Sequence, residues 1–190
     1  MKLSKILGVV AVAAMALMAF AGTASATTLE VGGVAKNSSV AIEATLKESS
    51  ALLADTAGFT ANTCTASTVK GSTSSPFTGT TVGGPISTLS WSSCTEGNPT
   101  VDAAGTVSVE RIGGTTNGTV RSSGAKVTIP SFFGNLTCTT SNTDIGTLTG
   151  VSSGAAKFDI NAVLSCTVIG TAKWTGTYTV TSPAGLGVTG

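Results

Sequence analysis

The side chains with an evident capacity for chemistry are four cysteines and nine carboxylates, in a chain that contains no histidine. That absence removes the Ser-His-Asp triad, the Cys-His dyad and any histidine-bearing metal site at once. Cys64, Cys94, Cys138 and Cys166 include no C-x-x-C pair, so no zinc site is expected among them. Asp102, Asp144 and Asp159 are too scattered to read as a carboxylate pair and are expected to be solubilising surface charges. Asp144 with Asn142 and Thr143 offers too few clustered oxygens for calcium. Gly83-Gly84 and Gly113-Gly114 precede no helix pattern and read as hairpin glycines, not phosphate cradles. Serine and threonine hydroxyls without a base are poor nucleophiles. No catalytic residue, metal ligand or cofactor is therefore expected, and the chain does not read as an enzyme.

The use of the cysteines depends on the compartment, and the N-terminus addresses that. Lys2 and Lys5 form a positive start, Ile6 to Ala21 is an uncharged apolar run, and Ala24-Ser25-Ala26 is a small-x-small cleavage site. Residues 1–26 read as a secretory signal peptide, cut before Thr27. No cysteine lies near the cut to carry a lipid, and no second apolar run of that length follows, so no membrane span is expected after cleavage. The expected location is secreted, extracellular or cell envelope. In such an oxidising setting an even cysteine count reads as two disulfides.

Residues 27–190 suit one domain. Lys2 and Lys5 belong to the signal, so the rest of the chain is close to neutral and has no basic footprint for nucleic acid. Charged residues make up 10% of the chain, against about 25% in ordinary domains. Solubility therefore rests on Ser, Thr, Asn and Gly. Hydrophobic residues at 41% with low net charge exclude the composition of a disordered chain.

The chain echoes itself. Thr45–Ser67 aligns with Thr119–Ser141 without a gap at an offset of 74, ending on Thr63-Cys64-Thr65 and Thr137-Cys138-Thr139. Leu46 matches Val120, Lys47 matches Arg121 and Ala51 matches Ala125. Two duplicated units are expected, roughly residues 34–110 and 111–183. Each holds one early and one late cysteine, which favours Cys64–Cys94 and Cys138–Cys166. Cys64–Cys138 with Cys94–Cys166 would follow if the two early strands lay side by side.

The elements that must position these residues are strands. Thr171–Thr181 alternates strictly, with Ala172, Trp174, Gly176, Tyr178 and Val180 on one face and threonines and Lys173 on the other. Lys157–Cys166 repeats the pattern, with Phe158, Ile160, Ala162, Leu164 and Cys166 inward. Leu89 and Trp91 are out of phase with Cys94 unless a bulge near Ser92-Ser93 restores it. Glu43–Ala54 has some helical character, but its counterpart Asn117–Thr128 is strand-like, and it reads as strand. Gly- and Pro-rich turns recur every 8–12 residues, as in sandwiches and barrels. The expected fold is all-β, a Greek-key-like sandwich or barrel of two units of about 74 residues, preceded by a signal helix.

Several stretches, Asn62-Thr63-Cys64-Thr65, Pro85-Ile86-Ser87-x-Leu89, Thr143–Gly150, Asp159–Leu164 and Gly176–Pro183, give the chain a resemblance to small exported actinobacterial β proteins of unknown function. More faintly, it is similar to the secreted protein activator of alkane oxidation in its signal and its Thr/Ser/Gly-rich β pattern. These resemblances imply a surface role and bring no catalytic residue. The expected function is non-catalytic, through surface binding or structural association, with a cell-envelope component or a second copy as the partner. Phe132 and Phe133 are the candidate binding surface, because adjacent strand residues cannot both face inward. The apolar, uncharged ends Thr27–Val34 and Gly185–Gly190 could add a strand to a neighbour. The alternative is a small-molecule or lipid carrier, discriminated by a cavity of a few hundred Å³ lined by Trp91, Phe158 or Trp174. An exported hydrolase ranks third.

Overall fold

The structure, a computed structural model, describes residues 26–47, 50–75 and 79–190. The signal sequence and its expected helix lie outside the described residues. In chain order the strands are β1 (Thr28–Val31), β2 (Val34–Ala35), β3 (Ala41–Leu46), β4 (Ala51–Asp55), β5 (Thr60–Ser72), β6 (Thr81–Cys94), β7 (Thr100–Ala103), β8 (Thr106–Arg111), β9 (Gly118–Ser123), β10 (Lys126–Ile129), β11 (Leu136–Thr139), β12 (Thr143–Thr149), β13 (Lys157–Cys166), β14 (Gly170–Ser182) and β15 (Leu186–Thr189). Among the described residues there is no helix. Glu43–Ala54, the stretch with helical character, falls in β3 and β4.

The strands close into a barrel. Around the ring run β3 with β4 as one interrupted position, then β5, β6, β8, β9, β12, β13 and β14, which pairs back onto β3 and β4. Every neighbouring pair is antiparallel. Of the two expected architectures, the chain adopts the barrel. The Greek-key expectation is corrected: ring neighbours follow one another along the chain, and no long connection carries a strand past its neighbours, as a Greek key requires. The alternation along β13 and β14 is the one read from the sequence. Ile160, Ala162, Leu164, Ala172, Tyr178 and Val180 are buried, while Asp159, Asn161 and Lys173 are exposed. The wall is thus apolar inside and polar outside, the inverse of a lipid-facing barrel.

The two halves of the ring are laid out alike. The β3–β5 and β4–β5 pairings correspond to β9–β12 and β10–β11. The β5–β6 pairing corresponds to β11–β13 with β12–β13, and β4–β14 corresponds to β10–β7. The likeness fails at one seam. β13 pairs with β14 along its whole length, from Lys157↔Thr179 to Cys166↔Gly170. Its counterpart β6 pairs with β8 only from Thr81 to Pro85. Past the bond from Ile86 N–H to the Gly105 carbonyl (3.0 Å), no described strand pairs with that edge of β6 as far as Cys94.

Both barrel ends carry extra strands. β1, β2 and β15 form a separate sheet that buries Leu29, Leu186 and Val188 in the common core. The chain ends expected to recruit a neighbour are therefore used internally: Thr28 to Val31 pair with Thr189 to Leu186. The pairing buries Leu29, Leu186 and Val188, while Val34 at the end of the first stretch stays exposed. At the opposite end β7, β10 and β11 add Val127, Ile129 and Leu136 to the core.

Candidate functional site

The barrel interior is not filled. A cavity of about 190 Å³ runs along it, lined by Leu53, Val69, Leu89, Trp91, Phe158 and Trp174 among others. An eight-stranded barrel has an interior just wide enough for side chains to fill it or for one small ligand. Here the balance tips toward space because small residues occupy inward positions: Ala51 on β4, Gly71 on β5, Gly176 on β14. Among the described residues no charged side chain lines the cavity. Ile86, Leu89 and Trp91 on the unpaired half of β6, and Ala104 and Val107 across the seam, line it and are half-buried. The unzipped seam is thus where the lumen approaches solvent.

A trio of rings crosses the lumen. Trp91 of β6 and Trp174 of β14 meet edge to face with centroids 5.9 Å apart, and Trp174 meets Tyr178 likewise at 6.4 Å. Such pairs contribute about 0.5–1.5 kcal/mol beyond their area. Tyr178 Oη donates to Ser67 Oγ (3.0 Å), which donates to the Ser90 carbonyl (2.8 Å). Burial pushes the Tyr178 phenol above its ordinary pKa, opposed by its hydrogen bonds with the Ser67 and Trp91 side chains, so Tyr178 stays a neutral donor at neutral pH. Trp174 has no such relief. Its Nε1 is buried without a hydrogen-bond partner, and its register neighbours are Leu53 and Ala162, which carry no acceptor side chain. An unsatisfied buried donor costs about 1–3 kcal/mol.

The residues singled out from the sequence fall into three places. Trp91, Phe158 and Trp174 all border the cavity. The cysteines form two disulfides, Cys64–Cys94 and Cys138–Cys166. Each joins residues directly opposite one another across antiparallel strands, and each is framed in the same way. Thr95 N–H donates to the Thr63 carbonyl and Thr167 N–H to the Thr137 carbonyl, both at 2.9 Å. In return Thr95 and Thr167 Oγ1 accept from the Thr63 and Thr137 amides. Phe132 and Phe133 sit on the turn between β10 and β11, 83% and 40% exposed, with rings edge to face. Adjacent residues of a strand would point one ring inward, but here a turn leaves both rings outside. Phe59, aligned with Phe133 by the offset of 74, sits just before β5 and is 66% exposed.

Asp102, Asp144 and Asp159 are exposed, on three different strands, and accept local hydrogen bonds from Thr128 Oγ1, Gly146 N–H and Thr177 Oγ1. Among the described residues no group of three His, Cys, Asp or Glu side chains is placed to hold a metal, and no helix is long and apolar enough to cross a membrane. The sequence reading did not single out Ser67, Leu53 or Val69 as wall residues. β5 changes phase midway: Asn62 and Cys64 are buried before it, Ser67 after it. A strict alternation count therefore misplaces half the strand. Comparison with family models, curated proteins and solved structures finds no match to this chain.

Proposed function

We propose that this chain is an exported, non-catalytic carrier that holds one small apolar molecule in the barrel lumen. The observation that supports it is the cavity of about 190 Å³ lined by Trp91, Phe158 and Trp174, without a charged wall residue among the described residues. An apolar cavity of about 150 Å³ stays dry and accepts benzene, so this one suits a ligand of one or two small rings or a short branched chain. The enclosure favours the carrier over purely surface-mediated association. Export is supported by the two disulfides, which persist in oxidising compartments. We further read the matched pairings and matched Thr-Cys frames as the trace of duplication of a unit of about 74 residues.

The test uses protein recovered from the medium, whose N-terminus by mass spectrometry should be Thr27. Indane should raise its Tm, because a ligand at 100 times its Kd adds about 2.7 kcal/mol. Val69→Phe, which places a ring in the lumen, should abolish that rise with little loss of stability in the absence of ligand. An unchanged wild-type Tm, or a rise that survives Val69→Phe, would sink the carrier reading.

A second reading, attachment through a surface, rests on Phe59, Phe132 and Phe133 lying exposed on two turns. Asn62 of β5 links these turns, its Nδ2 donating to the Pro130 carbonyl (2.9 Å). Exposed aromatic rings of this kind are typical interface anchors. Phe133→Ser should weaken binding to whole cells or self-association in sedimentation, with the β circular dichroism unchanged. Equal attachment by both proteins would remove this reading.

A further inference from the structure

The wall of the lumen carries polar side chains as well as apolar ones, and several are already used. Tyr178 donates to Ser67, and Ser67 to the Ser90 carbonyl. Asn62 donates to the Gly97 and Pro130 carbonyls and accepts from Thr95 and from the Glu96 amide. Ser122 bonds Thr140 (3.0 Å). Against this, the Trp174 Nε1 is buried and unpartnered, on a ring that lines the cavity and packs between Trp91 and Tyr178. Trp has a single polar atom and it only donates. A buried donor without a partner, on a ring that lines a ligand-sized cavity, is a place where an acceptor gains a full bond once the side chains covering the nitrogen give way.

Resting on the carrier reading, we propose that the cargo is a compact, neutral, apolar molecule with one hydrogen-bond acceptor, such as a ketone, ester or ether oxygen, received by the Trp174 indole N–H. Neutrality follows from the wall. Among the described residues no cation lines the lumen to pair a carboxylate or phosphate, and an unpaired charge does not enter an apolar cavity. The acceptor preference follows from Trp174, the described wall residue whose buried polar atom lacks a partner, since that atom is a donor. A ligand that can only donate gains nothing from Trp174.

Two ligands of matched shape separate this proposal from the carrier reading: acetophenone, and α-methylstyrene, in which a methylene replaces the oxygen. Affinities are measured by calorimetry for the wild type and Trp174→Phe. Trp174→Phe should lower acetophenone affinity roughly five- to tenfold relative to α-methylstyrene, the scale of one net hydrogen bond. Retained α-methylstyrene binding also shows that the variant folds. A readout independent of any variant is the wild-type proton–nitrogen NMR spectrum, where the chain's two tryptophans give two indole signals. The Trp174 signal should move downfield with acetophenone and not with α-methylstyrene. If both ligands bind while the indole signal responds to them alike and the affinity ratio survives Trp174→Phe, the acceptor proposal is overturned and the carrier reading stands. If neither ligand binds the wild type, both fall together.

Discussion

Removing the Cys138–Cys166 disulfide by Cys138→Ala with Cys166→Ala should cost about 3–4 kcal/mol and lower Tm by about 10 °C. The chain-entropy part follows from the sequence separation of 28, which is close to the 30 of Cys64–Cys94. On that ground alone the two bonds are equivalent. The folded state distinguishes them. Cys64–Cys94 lies on the β5–β6 pair, which continues through Gly71↔Ile86. Cys138–Cys166 lies on the β11–β13 pair, which has two rungs, Cys138↔Cys166 and Thr139↔Ser165. The bond therefore ties the β10–β11 hairpin to the barrel. Its loss should also speed amide exchange across residues 126–139 ahead of global unfolding, whereas Cys64→Ala with Cys94→Ala should not. Identical exchange patterns in the two double variants would remove this distinction.

Gly146→Ala should destabilise by about 3 kcal/mol or more, and Gly113→Ala by well under 1 kcal/mol. Gly146 has φ +146°, where L side chains are strained, and a Cβ there would collide with the Asp159 carbonyl oxygen of the neighbouring strand. Gly113 has open space around the position of its absent Cβ and no positive φ. The strain at Gly146 has a structural purpose. It follows a break in the β12–β9 register between Asp144 and Gly146, and this bulge lets Ile145 and Leu148, three residues apart, both be buried. Thermal melts of the two variants should differ by several degrees. Matching melts would mean that the barrel absorbs a Cβ at the bulge, and the rigid reading of that contact would be wrong.

Strict alternation made β13 and β14 legible with their burial, because both strands are unbroken and each has one dry and one wet face. The cysteine pairing was legible too, from one early and one late cysteine in each half of the chain. The phase of β6 was legible only as a problem. Leu89 and Trp91 clash in parity with Cys94, and the structure resolves this at Ser93, whose φ of 54° turns the strand over without shifting its pairing with β5. A left-handed serine leaves no mark in the sequence, since its type does not demand that conformation. Thr65 and Ala66, across from it on β5, likewise carry no turn signal.

By itself, then, the sequence determined that the chain is all-β, that its cysteines pair within each half, and which faces of the two cleanest strands are apolar. These follow from local chemistry: side-chain period, turn residues, and the positions of the cysteines along the chain. Only the tertiary structure decided between sandwich and barrel, since both are built from the same alternating strands and differ in whether β14 returns to β3 and β4. Tertiary packing also turned the two chain ends toward each other and set Trp91 against Trp174 across the lumen. These residues are brought together by ring closure, a long-range condition that no local pattern encodes. The cavity arises for the same reason. Each inward residue is ordinary on its strand, and the unfilled volume exists only once eight positions share one axis.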